Sequence, residues 1–195
     1  MNFIMDLLIR QFTGPLVSQI SRKIGADQDT TRKAISVAVP LLIAALARNS
    51  SQPKGAEALH RALDNDHDGG ILDNQIDYLA NPQSAKGAGI LRHTLGGRRN
   101  PVEKRIAQGT GLNADATGQL LEIIAPLVMG ALGRTQRQQG FDANRLSEFL
   151  GSQHQEAQAS RPDIMGVLGN LLDANDDDSI ADDIGRIAGK LFDRR

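Results

Sequence analysis

The stretch PLVSQISRKIGADQDTTRKAISVAVPLLIAALAR, residues 15–48, decides the fold because it recurs at residues 101–134 as PVEKRIAQGTGLNADATGQLLEIIAPLVMGALGR. The offset is 86 residues, and ten of the 34 aligned positions are identical. A repeat of this kind fixes the architecture around it. The apolar residues of both copies follow helical rather than alternating spacing. The sequence therefore predicts an all-α protein with an internal duplication, in which Pro15–Arg48 repeats as Pro101–Arg134.

Each copy carries the local signals of a short helix followed by a long one. Pro15 suits a first helical turn, Gly25 is typical of a helix end, and Asp27 is a good N-cap for the next helix. The corresponding residues of the second copy are Pro101, Gly111 and Asn113. Pro40 and Pro126 lie inside the long helices, and we expect each proline to kink its helix or split it in two.

Apolar spacing predicts further helices outside the two copies. They are Phe3–Phe12, Ala56–Leu63, Leu72–Leu79, Gly87–Leu95, Ala143–Leu150, Ile164–Leu172 and Ile180–Phe192. The complete chain is therefore expected to be a compact array of about 9–11 short helices. We predict a first helical repeat unit over residues 1–97, and a second over residues 98–150 that packs with the first as one domain. A polar linker with room for a helical piece follows over residues 151–162, and a C-terminal helical pair over residues 163–195.

Composition limits the functional classes. The 195 residues include no cysteine, which excludes disulfides, a thiol nucleophile and cysteine-ligated zinc. The formal net charge of -1 argues against binding to a phosphate backbone. The N-terminus does not have the pattern of a signal peptide, and the longest uncharged apolar stretch, Ala34–Ala47, is too short to cross a bilayer. We therefore expect a cytoplasmic protein with no membrane partner.

The chain resembles a bacterial family of unknown function, number nine-three-seven of the domain-of-unknown-function series, which is related to the YidB-like helical proteins. The stretches that carry the resemblance are GADQDTTRKAISVAVPLLIAALARNS, DHDGGILD, GILRHTLGG, GLNADATGQLLEIIAPLVMGALGR and NLLDANDDDSIADDIGRIAGKLF. The resemblance implies a compact orthogonal array of helices. It implies no activity, and it transfers no catalytic residue.

Two aspartate-rich segments are the clearest chemical signal. The first Asp segment reads DNDHDGGILDN at residues 64–74, and the second reads DANDDDSIADD at residues 173–183. An EF-hand loop places oxygen ligands for calcium at alternate positions. Positions 1, 3, 5 and 10 of each segment give the candidate ligands Asp64, Asp66, Asp68, Asp73, Asp173, Asn175, Asp177 and Asp182. The sequence thus indicates calcium-type cation sites, and no other cofactor.

The departures from an EF-hand leave a second interpretation open. The bidentate glutamate expected at position 12 is replaced by Gln75 in the first segment and by Ile184 in the second. Aspartates at these places can instead cap the following helices and interact with their dipoles. On that interpretation the segments are solvated turns.

The other candidate groups have weaker patterns. The four histidines are His60, His67, His93 and His154, and none has the paired spacing of a zinc site. We expect His67 to be a solvated neighbour of the first Asp segment. A basic cluster comprises Arg92, Arg98, Arg99, Lys104 and Arg105. It lacks interleaved aromatic residues for base stacking, so we interpret it as a solvated face.

These observations favour a non-enzymatic helical scaffold or protein-interaction module, with calcium-type sites in the two Asp segments. Its partner would be another protein or a second copy of the chain. Two alternatives stay open. One is a nucleic-acid-associated helical protein that uses the Arg98–Arg105 basic face, and the other is an enzyme of unrecognised class.

Overall fold

The computed structural model describes residues 7–8, 11–12 and 14–160, and within these ranges it contains helices and no strand. The α-helices are α1 (Gly14–Ile24), α2 (Gln28–Ser50), α3 (Pro53–Asp66), α4 (Gln75–Ala80), α5 (Gly87–Leu95), α6 (Arg99–Thr110), α7 (Ala114–Gln139) and α8 (Ala143–Ser160). Short 3-10 turns cover Gly70–Leu72, Pro82–Ala85 and Gly96–Arg98. The all-α prediction is confirmed. The predicted helices Ile164–Leu172 and Ile180–Phe192, and most of Phe3–Phe12, lie outside the described residues.

Matching caps begin the two long helices. The Asp27 carboxylate accepts a hydrogen bond from the Thr30 backbone N–H at 2.8 Å, and the Asn113 side chain accepts one from the Ala116 N–H at 2.7 Å. Such caps satisfy backbone donors that have no partner inside the helix. The preceding helices end as predicted, because the residue after each, Gly25 or Gly111, has a positive φ of 68° or 86°. The local signals are thus confirmed, whereas the duplication itself stays a prediction.

Both long helices run unbroken through their internal prolines. A proline cannot donate to the carbonyl four residues earlier, which is that of Ser36 for Pro40 and of Glu122 for Pro126. Ser36 is exposed, so water can reach its carbonyl. At the second site, a Cβ on Gly87 would lie only 2.0 Å from the Glu122 carbonyl oxygen, so α5 begins directly against the freed group. The expectation that the prolines could split these helices in two is therefore wrong.

Helices α2 and α7 form the centre of the core. Helix α2 packs against α1, α3, α6, α7 and α8, while α7 packs against α1, α3, α5 and α6. Both are long and apolar enough to cross a membrane, but 67% and 89% of their apolar windows are buried inside the fold. Buried core helices have the same length and composition, so this finding is weak evidence about location.

The segment that the sequence suggests is a polar linker continues α8 as far as Ser160. Buried residues Leu146, Leu150, Gln153 and Ala157 recur at helical spacing, and α8 packs along α2 and α3. The stripe is not recognisable in the Gln-rich sequence, because one of its buried residues, Gln153, is itself a glutamine. Residues 151–160 are therefore the C-terminal part of α8, and they pack against the core through Gln153 and Ala157.

Candidate functional site

The first Asp segment lies against the C-terminal half of α7. Asp64 accepts a hydrogen bond from Gln136 Nε2 at 2.6 Å, and its backbone carbonyl accepts one from Arg137 at 2.9 Å. The second carboxylate oxygen of Asp64 lies 3.2 Å from His60 Nδ1. Asp64 is therefore held by groups of α3 and α7 rather than directed into the loop.

Arg134 fastens the far side of the same segment. Its guanidinium donates to the Gly69 carbonyl and to the Asp73 carboxylate, both at 2.6 Å. Asp68 accepts a hydrogen bond from the Gly70 N–H at 2.8 Å and lies 3.9 Å from Arg137 Nη1. The Asp66 side chain is exposed. Charge-assisted bonds to α7 thus hold the segment in place.

The carboxylates of the first segment have different partners and do not converge. Among the residues that the structure describes, no group of three or more His, Cys, Asp or Glu side chains is arranged to hold a metal ion. A cation bound by Asp64 and Asp73 would have to displace Gln136 and Arg134. The second segment, with Asp173, Asn175, Asp177 and Asp182, lies outside the described ranges, so its cation site stays a prediction.

Two glycines of α7 allow this close approach. A Cβ on Gly133 would lie 1.7 Å from the His67 carbonyl oxygen, and one on Gly130 would lie 2.5 Å from Ile71 Cγ2. Both glycines are buried in α7. Backbone and side chain of the Asp segment therefore occupy the space that larger α7 residues would fill.

The histidines are placed as structural groups. His67 is half-buried rather than fully solvated, and loss of hydration lowers the pKa of its imidazole, an effect that the nearby Asp66 and Asp68 charges oppose. His60 Nε2 lies 3.0 Å from the Phe141 carbonyl oxygen, and His93 Nδ1 lies 2.8 Å from that of Gly89. His154 lies in α8.

The basic cluster is not a uniform cationic face. Arg99 donates to Glu103 and to Glu122, each at 2.6 Å. Burial lowers the pKa of Arg99, but the hydrogen bonds that Arg99 donates to the two carboxylates, together with their charges, outweigh this effect and raise the pKa above its usual value. Arg98 is half-buried, while Arg92, Lys104 and Arg105 are exposed. Only part of the cluster is therefore available to a phosphate.

A groove between α1 and α4, which we call the α1–α4 groove, is a further candidate site. Its volume is about 370 Å³, and its lining residues are Gln19, Arg22 and Lys23 of α1 and Ile76, Leu79 and Ala80 of α4. Ile76 is 65% exposed, and it is the large hydrophobic residue that stands out as exposed in the described part of the chain. The groove thus combines an apolar wall with a basic one.

Helix α4 is anchored by its inner face. Tyr78 is buried and donates a hydrogen bond to the Ile123 carbonyl at 2.9 Å, and the adjacent Leu79 is 3% exposed. Burial raises the pKa of Tyr78, so its hydroxyl stays protonated and able to donate. Residues four apart share a helix face, so Ile76 and Ala80 lie together on the outer side. The sequence does not reveal this groove, because its apolar pattern predicts a helix here without showing which helix residue stays exposed.

The comparison with protein families matches residues 6–135 to "Bacterial protein of unknown function (DUF937)". The chain belongs to this family. The match covers more than half of the 195 residues and confirms the predicted resemblance. No curated protein and no solved structure matches the chain. The DUF937 region contains the complete α1–α4 groove and the first Asp segment, and it ends before α8 and the second Asp segment.

Proposed function

We propose that this DUF937 protein is a non-enzymatic helical interaction module, and that its α1–α4 groove receives an acidic amphipathic helix of a protein partner. The observation that carries the proposal is the exposure of Ile76 beside Arg22 and Lys23 at one groove. An apolar wall offers area to bury, and a basic wall selects acidic sequences. Insertion of a helix into a groove is a common mode of peptide recognition.

The apolar contact supplies affinity. Covering the exposed part of Ile76, together with the stems of Arg22 and Lys23, is worth about 1–2 kcal/mol at roughly 25 cal/mol per Å². Ala80, which is exposed, extends the same wall. A partner helix with apolar residues three or four apart would present a matching stripe.

The charges supply selectivity. Arg22 and Lys23 are exposed, and no ion pair to either residue is formed by another part of the described chain. Acidic groups on the partner would increase the association rate and disfavour basic competitors. Asp77 lies on α4 but outside the groove lining. The proposed partner therefore carries glutamate or aspartate beside its apolar stripe.

A direct test uses a fluorescein-labelled helical peptide with leucine at helical spacing and glutamate at the other positions. Binding to the full chain is measured by anisotropy, in parallel with a peptide that has lysine in place of glutamate. We expect binding of the acidic peptide, and at least tenfold weaker binding after Ile76→Asp or after Arg22→Glu combined with Lys23→Glu.

The matched control is Lys104→Glu combined with Arg105→Glu, which makes the same charge change on α6 and should leave binding unchanged. Equal losses in the two double variants would show non-specific attraction and contradict the proposal. So would tighter binding of the lysine peptide. Adsorption of the chain to anionic phospholipid vesicles without binding of the peptide would favour a membrane surface instead.

The nucleic-acid alternative is supported by the exposure of Arg92, Lys104 and Arg105. It is weakened by the pairing of Arg99 with two carboxylates. Duplex DNA binding across a salt series tests this alternative, since phosphate contacts must weaken as salt increases. The same Lys104→Glu and Arg105→Glu variant would abolish such binding.

Calcium-type sites in the Asp segments are tested by thermal unfolding of the full chain with calcium and with a chelator. A ligand that binds only the folded state raises the unfolding midpoint. We expect no contribution from Asp64 and Asp73, which already have protein partners. An upward shift that persists after Asp66→Asn but is lost after Asp177→Ala would assign the ion to the second segment.

A further inference from the structure

The walls of the α1–α4 groove are complementary to a ligand that carries both negative charge and an apolar side chain. Arg22 and Lys23 form one wall, and the exposed Ile76 lies on the other. The inference below rests on the proposed function, because it names an occupant of the same groove. The described residues do not supply that occupant.

The chain itself contains a segment of the required composition. The second Asp segment, residues 173–183, has six aspartates and no lysine or arginine, with Ile180 among them. The apolar residues Ile184 and Ile187 follow at helical spacing from Ile180. Negative charge and a large apolar side chain, that of Ile180, therefore occur together in the segment.

The length of chain beyond α8 permits contact with the groove. Twelve residues separate Ser160 from Asp173, and an extended chain covers about 3.3 Å per residue, which gives a reach of about 40 Å. A compact body of roughly 160 residues has a radius of gyration of about 15 Å. A tethered ligand of this kind acts at an effective concentration in the millimolar range.

The family match separates the groove from this segment. All six lining residues lie within the DUF937 region, which ends at residue 135, whereas residues 173–183 lie outside it. We propose that the second Asp segment of this chain occupies its own α1–α4 groove and competes there with the acidic helix of the partner. The appended segment then acts as an intramolecular inhibitor.

The absence of native cysteine makes cross-linking a clean test. In the full chain, Ala80→Cys in the groove is combined with Ser179→Cys in the second Asp segment, and a short bismaleimide is added. The control pair is Gln52→Cys with Ser179→Cys. Gln52 follows the far end of α2, a helix of 23 residues, and therefore lies about 35 Å from the α2 N-terminus beside Lys23.

We expect the groove pair to cross-link within one chain at least fivefold faster than the control pair. Arg22→Glu with Lys23→Glu should remove that difference. Equal rates for the two pairs would overturn the inference, and so would a groove-pair product that has the mass of a dimer.

A second measurement separates this inference from the proposed function. Replacing all six aspartates of residues 173–183 by asparagine in the full chain should strengthen binding of the acidic peptide about tenfold. If the acidic peptide binds the native chain and the asparagine variant with the same affinity, the intramolecular inhibitor is overturned while the proposed function stands. No binding to either chain would overturn the proposed function.

Discussion

The helix pairs α1–α2 and α6–α7 have the same local construction but different surroundings. Each pair has a glycine with positive φ after its first helix, and a side-chain cap and an internal proline in its second. Helix α7 is nevertheless the more enclosed, with 89% of its apolar window buried against 67% for α2. Local sequence therefore determines how each pair is built, and neighbouring segments determine what each pair contacts.

The difference is visible at matched positions. Gly130 and Gly133 of α7 correspond to Ala44 and Ala47 of α2 at the offset of 86 residues. The α7 glycines lie against residues 67–71, whereas the α2 alanines contribute their own methyl groups to the core. The second pair thus receives the first Asp segment, and the first pair supplies α1 to the groove with α4. Two helix pairs with matching caps, glycines and prolines thus form two different surfaces: the α7 face that receives the first Asp segment, and the α1 wall of the α1–α4 groove.

The largest effect is expected from Gly133→Ala. Its Cβ would lie 1.7 Å from the backbone oxygen of His67, which can move only if the Asp segment moves. We expect a loss of about 3 kcal/mol or more in the free energy of unfolding, as for other overpacked or strained core sites. Urea unfolding followed by circular dichroism measures this loss.

Two control variants sharpen that result. Gly109→Ala on α6 meets no atom within 4 Å, so it should be neutral or stabilise the protein by up to about 1 kcal/mol. Ala47→Gly, the reverse change at the matched α2 position, should cost about 1 kcal/mol through helix propensity and lost burial. A neutral Gly133→Ala would show that α7 does not need glycine to receive the segment.

A smaller loss is expected from Arg134→Met. This change removes the hydrogen bonds to Gly69 and Asp73 but keeps most of the apolar stem. Because Asp73 is 66% exposed, solvent screening limits the loss to about 1–2 kcal/mol. Urea unfolding measures this loss, and an unchanged free energy of unfolding would show that Arg134 does not hold the first Asp segment against α7.

The caps should show the similarity of the pairs rather than their difference. Asp27→Ala and Asn113→Ala each remove one hydrogen bond to a first-turn N–H, and each should cost about 1 kcal/mol. Thermal unfolding of both variants provides the comparison. A cost at one cap only would mean that tertiary contacts already fix that helix start.

The smallest effect concerns pH and is confined to the Asp segment. Burial lowers the pKa of His67 in the folded state, with Lys86 acting in the same direction and Asp66 and Asp68 opposing. The folded state favours the neutral imidazole, so the contribution of His67 to the free energy of unfolding is fully present above its unfolded-state pKa of about 6.5. That contribution is lost as pH falls through the folded-state pKa. Denaturant unfolding between pH 7.5 and pH 5 should thus show a loss that is smaller in His67→Gln. An identical pH dependence in the two proteins would contradict this assignment.

Sequence reasoning succeeded where the physical cause is local. The cap residues, the terminal glycines and the bounds of α5 follow from interactions within a few residues of the chain. It was less informative about residues 151–160, where a buried glutamine belongs to the helical stripe. The ligand spacing of the first Asp segment also gave no sign that Arg134, 61 residues from Asp73, takes its carboxylate.

The groove could not be predicted for a related reason. Its two walls come from α1 and α4, whose lining residues are separated by more than 50 positions in the sequence. Apolar spacing identifies Ile76 as a helix residue, but only the packing of Tyr78 and Leu79 leaves it on the outer face. Exposure is a property of the assembled fold.

The most direct test of the groove as a docking surface is a pair of proton–nitrogen correlation spectra of the ¹⁵N-labelled full chain, without and with saturating unlabelled acidic peptide. We predict that the largest shift changes occur at residues 19–23 and 76–80, with little change in α6. Changes centred on Arg92, Lys104 and Arg105, or no changes at saturation, would contradict the assignment of the α1–α4 groove.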